Sequence, residues 1–242
     1  VTTLKRSNDR KVTNLVTPSG KTGKIANAFG LPAGKAYSCP NATNFCSKVC
    51  YAGKLEKIYK GVRESLLHNF DTLKACGDDV QAITALLDEM ISEFHAECEK
   101  KNAVKRFRIH WDGDFYSEAY SKAWKQTILN HPDIQFWAYT RVPSAVEILT
   151  GVSNLSMYFS TDTDNREIAV QLFNAHRVKL AWLDITFESA KQSLQETIGA
   201  KAARCPENNG ALPLISSEGS ACNRCGLCVE GRANVLFSSS KK

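Results

Sequence analysis

Two different hydrophobic periods divide the chain. In residues 54–75, Leu55, Ile58, Val62, Leu66, Phe70 and Leu73 recur at steps of three and four, which places them on one face of a helix, and Gly77 follows as a stop. A second stripe through Val80, Ile83, Leu87, Met90, Phe94 and Cys98 predicts another long helix. Beyond Lys101 short apolar runs replace the stripes, at residues 104–109, 135–139, 155–159 and 179–183. Amphipathic segments at 117–129, 165–176 and 189–198 alternate with these runs, with Asn165 and Ser189 as the expected N-caps. Strand starts recur every twenty to thirty residues or so, the length of a strand and its returning helix.

Such a run of βα units, with strands this apolar, calls for a parallel sheet. Residues 24–28, 212–215 and 235–237 are further candidate strands, which makes six or seven. The expected fold class is therefore α/β, parallel (βα) barrel-like, an incomplete or atypical TIM-type barrel with a Cys-rich C-terminal segment. No glycine-rich phosphate loop of the Walker or dinucleotide type follows any of these strands, which argues against a nucleotide-binding sheet.

At 242 residues and 43% hydrophobic the chain suits one domain, and no apolar stretch is long enough to span a membrane. The start of the sequence has no apolar signal core, so a soluble cytoplasmic protein is expected. Charge is distributed unevenly. Of the net +6, residues 1–24 hold +5, from Lys5, Arg6, Arg10, Lys11, Lys21 and Lys24 against Asp9. This assigns 1–24 to a basic flexible arm and 25–242 to a single domain; nucleic acid could engage only through the arm.

Nine cysteines, an odd number grouped by spacing, point to metal ligation in a reducing compartment rather than to disulfides. Cys98 continues a helical stripe and Cys76 ends a helix, so both read as packing residues. Cys205, Cys222, Cys225 and Cys228 form a C-x16-C-x2-C-x2-C pattern with Pro206 beside the first. Two-residue spacers bring three thiolates to neighbouring corners of a cubane, and a distant cysteine supplies the fourth, so a 4Fe-4S cluster is the expected cofactor. Zinc is the rival, but it usually takes two separate C-x2-C knuckles. Cys39, Cys46 and Cys50 make a second group, C-x6-C-x3-C, with no evident fourth ligand. Three readings of it stay open: a second metal site with one position free, a lining for a core, or the loan of a ligand to the C-terminal cluster.

In a parallel barrel the active site gathers at the C-terminal strand ends. Those ends carry His110, Asp112 and Asp114, then Tyr139, Thr140 and Arg141, then Ser160, Thr161, Asp162 and Asp164, then Asp184. From this set His110 is the expected general base and Arg141 the expected anion grip, with Asp112, Asp114 and Asp162 completing the catalytic group. The alternative is structural: Asp112 to Asp114 as a turn, Asp162 to Asn165 as a cap, His110 as a core histidine. The motifs of serine hydrolases and zinc proteases are absent.

The combination SCPNATNFCSKVCYAGK, RIHWDGDF, AYTR, YFSTD, RCPE and CNRCGLC resembles a domain family of bacteriophages, the gene product 88 type, over roughly residues 24 to 237. The resemblance implies an iron-sulfur protein of viral origin, cytoplasmic in the infected host, with the matching cysteines as ligands. The three-cysteine loop ahead of βα units is also similar to radical S-adenosylmethionine enzymes, although their C-x3-C-x2-C signature is not present. The expected function is that of an iron-sulfur enzyme acting on a small-molecule substrate at a barrel mouth, by hydrolytic (ester-type) or hydration chemistry. Radical or electron-transfer redox chemistry, or a non-catalytic binding protein with a structural cluster, are the alternatives.

Overall fold

The computed structural model describes residues 3–16 and 22–240; residues 17–21, part of the expected arm, and both extreme termini lie outside the described residues. An antiparallel ribbon comes first, β1 (Asn14–Val16) with β2 (Thr22–Lys24). Four helices follow: α1 (Asn44–Val49), α2 (Tyr51–Ile58), α3 (Lys60–Lys74) and α4 (Val80–Lys101). The βα units are then β3 (Arg106–Ile109), α5 (Glu118–Asn130), β4 (Gln135–Thr140), α6 (Pro143–Leu149), β5 (Leu155–Thr161), α7 (Arg166–His176), β6 (Lys179–Asp184) and α8 (Phe187–Ile198). The last part of the described chain holds β7 (Ala202–Arg204), a small hairpin of β8 (Ile215–Ser216) and β9 (Gly219–Ser220), α9 (Ala221–Cys225) and β10 (Asn234–Ser238).

Local signals account for most boundaries. Ser117 caps α5 by accepting from the Tyr120 amide, and Asp79 caps α4 through two amides. Asn165 precedes α7 as expected, but its side-chain oxygen is taken by the Thr161 hydroxyl and the Asp162 amide. The start of α8 lies earlier than expected, because Thr186 is the cap and Ser189 is its reciprocal partner inside the helix. The stripe in 54–75 yields two helices, since Tyr59 is extended. That break leaves Ile58 67% exposed and turns Ala52 and Glu56 of α2 inward, while α3 buries Leu66, Asn69 and Leu73.

The six strands of the main sheet are all parallel, in the order β3-β4-β5-β6-β10-β7. This corrects the barrel expectation, because the sheet is open. A barrel requires each new strand to extend the sheet in one direction until the last meets the first. Here the last strand, β10, inserts between β6 and β7 and leaves β7 at an edge. The opposite edge is capped by residues 27–29, which bond along β3: the Arg108 amide donates to the Asn27 carbonyl, and the Phe29 amide to the Arg108 carbonyl. Segment 24–28 is thus a bridge rather than a full strand, and 212–215 reaches only the β8–β9 hairpin.

The sheet has two unlike faces. Phe107, Ile109, Phe136, Ala138, Met157, Phe159, Leu180, Trp182 and Leu236 join the main core with the helices. Each large side chain buried there is worth about 1.5–3 kcal/mol. The alternate residues Trp137, Tyr139, Tyr158, Ala181 and Val235 pack instead with Val12, Val229, Leu227 and three of the C-terminal cysteines. This second face has no long helix over it; the Cys-rich segment and the N-terminal residues cover it. Residues 3–13, expected as part of a solvated arm, bury Leu4 and Val12, and Arg6 pairs with Glu97 at 2.9 Å. Among the described residues, no helix is long and apolar enough to cross a membrane.

Gly113, just past β3, has φ +80, and a Cβ there would meet Ser38 Oγ at 2.4 Å and the Leu31 carbonyl at 2.7 Å. Gly151 has φ +88 with nothing within 4 Å of such a Cβ. Gly151→Ala therefore lowers stability by about 1 kcal/mol from backbone strain alone, and Gly113→Ala by roughly 3 kcal/mol or more. Urea unfolding midpoints of the two variants check the difference.

Candidate functional site

The four C-terminal cysteines are gathered by a segment pinned across the second face of the sheet. Cys205 directly follows β7, Cys222 and Cys225 lie on α9, and Gly226, at φ 68, turns the chain back so that Cys228 faces the sheet. The segment is held by the Ser156 hydroxyl donating to the Val229 carbonyl at 2.8 Å, and by the Tyr158 hydroxyl donating to that of Ala233 at 3.0 Å. From the other end of the sequence, the Lys11 carbonyl accepts from the Cys222 amide at 3.0 Å. None of the nine cysteines is in a disulfide.

Burial pushes the Cys222 and Cys228 thiols up to about 12; Arg108 and Lys11 oppose it at Cys222, and the Tyr139 phenol opposes it at Cys228. Arg108 is buried, donates to Asp9 at 2.6 Å, and lies over the Tyr139 ring at 5.7 Å. Its Nε has no hydrogen-bond partner among the described residues. The donor set therefore fits an anionic metal cluster: four free thiols beside two cations, one of them with an unused buried N–H. No three of the sulfurs lie within 4.8 Å of one another among the described residues. Thiolates on a single tetrahedral zinc stand roughly 3.8 Å apart, so this spacing is wider than a mononuclear site needs.

The first cysteine group lies at the C-terminal strand ends, fastened by the residues that the sequence marks as catalytic. Asp162, just past β5, accepts from Arg141 Nη1 at 2.8 Å and from the Thr43 hydroxyl at 2.7 Å. Thr43 in turn caps α1 by accepting from the Cys46 amide, and Asp164 accepts from the Phe45 amide at 3.0 Å. Asp114 accepts from the Thr140 hydroxyl at 2.6 Å and from the Phe115 and Arg141 amides at 2.8 Å, while its own amide donates to Ser38, next to Cys39. Arg141 is thus committed to Asp162, and Asp114 to backbone donors. Their shared effect is to hold residues 38–46 against β4 and β5.

Cys39, Cys46 and Cys50 are each partly exposed. Burial and then the Asp114 carboxylate push Cys39 up to about 12; Cys46 is also raised, by burial first, with Arg141 opposing. Cys50 caps α2, its sulfur accepting from the Gly53 amide at 3.3 Å. The next residue, Tyr51, donates to the Trp111 carbonyl at 2.9 Å and lies under Lys11. It stands between the two cysteine groups.

His110 does not join this site. Its φ of 59 turns the ring into the aromatic core, 4.6 Å from Phe115, with Nε2 2.8 Å from the Tyr120 hydroxyl. Burial and then Arg108 hold it down to about 3, so the imidazole is neutral. Asp112 does join. Its Oδ1 accepts from the Gly113 amide, but its buried Oδ2 faces no N–H or O–H of another group, and the side chain beside it is the Glu56 carboxyl. Burial, then Glu56, keep Asp112 well above the ordinary carboxylate range.

Sequence reasoning missed Thr43, Glu56, Arg108 and Lys11. A glutamate four residues after Ala52 on the inward side of α2 was the available signal for Glu56. It also missed a surface trio, His95, Glu99 and Asp133, whose ligand atoms lie within 4.8 Å. Lys105 pairs with both carboxylates there, so the trio is an ion-pair network.

Two outcomes follow from these contacts. Asp162→Ala leaves a buried guanidinium unpaired and destabilises by roughly 3–5 kcal/mol, against about 1–2 kcal/mol for Thr43→Val, as read from chemical denaturation. The second concerns pH. Asp112 is raised and Asp114 is raised to about 6, both chiefly by burial, so the folded chain keeps protons that the unfolded chain releases near about pH 4. Their contribution is complete below that pH and is lost as pH rises through the folded values. Asp112→Asn should therefore gain stability on the wild type between about pH 5 and about pH 8, in a series of urea midpoints.

Comparison with known proteins gives a consistent origin. Residues 2–231 match the family model described as Gene product 88. The Gene 88 protein of Mycobacterium phage L5 is 51% identical over 244 residues, covering 99% of each chain. The Gene 88 protein of Mycobacterium phage D29 is 51% identical over 245 residues with the same coverage. A crystal structure of an uncharacterized protein is similar at a TM-score of 0.30 and 11% identity, over 64% of this chain and 38% of that one, too slight a likeness to inform the fold. On the full-length matches, the chain belongs to the gene product 88 family of bacteriophage proteins.

Proposed function

We propose that this phage protein is an iron-sulfur redox protein whose C-terminal cysteines, Cys205, Cys222, Cys225 and Cys228, hold one 4Fe-4S cluster against the face of the sheet that carries no long helix. The observation that carries this reading is the meeting of four free thiols with a buried arginine that has an unpaired Nε. Ligated by four thiolates, such a cluster stores and passes single electrons. The chain's own residues supply the conditions for it. Ligation requires the thiols to lose protons, which burial opposes and the charges of Arg108 and Lys11 assist. Tyr139, hydrogen-bonded to Cys228, and Tyr158 shield the sulfurs from water with aromatic surface.

A hydrolytic or hydration reaction is the second reading, and one observation favours it: the Asp112–Glu56 pair keeps an acidic proton beside the first cysteine group. In that reading Asp112 is the proton carrier. Arg141 and Asp162 are positioning residues, because they hold the cysteine loop and each other.

Protein purified without oxygen should be brown, and Cys225→Ser should remove about four irons and four sulfides per chain. Arg108→Gln should retain that iron but move the reduction potential to a more negative value, since it leaves Asp9 uncompensated near the sulfurs. A colourless chain, or one that holds only zinc, would overturn the reading. For the hydrolytic alternative, turnover of a panel of activated esters that Asp112→Asn abolishes is the supporting result, and turnover indifferent to that change rejects it.

A further inference from the structure

We infer that Cys39, Cys46 and Cys50 form a second metal centre, a three-thiolate iron-sulfur site with one coordination position left to a non-thiolate ligand. The inference rests on the same metal chemistry as the C-terminal site but on separate residues. Three observations carry it. First, the loop that bears these cysteines is fixed far more firmly than a surface loop needs. Thr43 binds Asp162, Phe45 binds Asp164, Ser38 binds the Asp114 amide, and the buried Arg141 reaches both Asp162 and the Thr43 hydroxyl. A network of buried charges is expensive to assemble, and this one presents its cysteines partly exposed instead of packing them away.

Second, the sulfurs share surroundings. The Asp114 carboxylate is a charged neighbour of both Cys39 and Cys46, and Cys50 is one of Cys46. Cys46 lies on α1 one turn before Cys50, which closes that helix and opens the next. Third, a buried carboxyl lies near Cys39. Asp112, only 2% exposed, has an Oδ2 that no donor satisfies, and its charge is felt at Cys39. Asp112 is thus an oxygen donor of this chain in the neighbourhood of Cys39.

The arrangement also gives the two centres different work. The C-terminal set has four thiolates and no vacancy, whereas the set at the strand ends keeps a position that a small oxygen- or nitrogen-donor molecule can take. Tyr51, which follows Cys50 and lies under Lys11, spans the ground between them.

The test uses the full chain, purified and reconstituted without oxygen, with iron and inorganic sulfide counted per chain and electron paramagnetic resonance recorded after dithionite reduction. Wild type should carry about eight irons, the Cys46→Ser/Cys50→Ser double variant about four, and the Cys222→Ser/Cys225→Ser double variant about four with a different resonance. Asp112→Asn should keep all the iron and alter only the signal that survives in the C-terminal variant. If wild type holds about four irons and Cys46→Ser/Cys50→Ser keeps all of them, the second centre does not exist and the first stands. Iron absent from every chain removes both. About four irons in the wild type that Cys46→Ser/Cys50→Ser loses and Cys222→Ser/Cys225→Ser keeps would support the second centre and remove the first.

Discussion

A parallel sheet presents two faces that must leave water, and in this protein only one of them receives the long helices. Every other feature of the molecule answers the problem of the second face. The segment that covers it is poor in large apolar side chains, so it cannot be held by hydrophobic contact alone. Strand side chains that would point outward in a two-layered sheet act instead as anchors. Ser156 and Tyr158 hold backbone carbonyls of the Cys-rich segment, Arg106 reaches the Asn223 carbonyl, and Arg108 draws in Asp9 from the N-terminal strap. The cysteines complete that cover.

A second constraint operates at the strand ends. Asp114, Asp162, Arg141 and Asp112 are all nearly shut off from water, and buried charge is tolerated only when paired or hydrogen-bonded. Three of these residues are satisfied by each other, by Thr43 and Thr140, and by backbone amides. Asp112 is not, and its protonation is how the fold accommodates it. The polar ends of the strands are therefore a scaffold before they are a reactive surface.

Much of this was legible in the sequence, and the reasons for what was not are specific. The stripe of Ile83, Leu87, Met90 and Phe94 announced α4, and the runs around Phe107, Phe136, Phe159 and Leu180 announced four parallel strands, because burial on one face or both fixes those periods. The order of the strands was hidden. Nothing in residues 234–238 says that they enter the sheet between two earlier strands, since pairing is set by contacts far apart in sequence. His110 and Arg141 had the right residue types and strand-end positions for chemistry. The positive φ of one, and a carboxylate partner 21 residues away for the other, redirected them, and neither fact is a local signal. The cysteine spacings grouped Cys205, Cys222 and Cys228, which meet on the second face, but the charged neighbours of Cys222, Arg108 and Lys11, come from other elements.

The late insertion of β10 sets an order of assembly. Without β10, β7 has no bonded neighbour in the main sheet and the ladder stops at β6. All nine cysteines precede β10 in the chain, and the wall that Cys205 and Cys228 share with Val235 and Phe237 forms only when it docks. The docking of β10 is therefore what closes that side of Cys205 and Cys228.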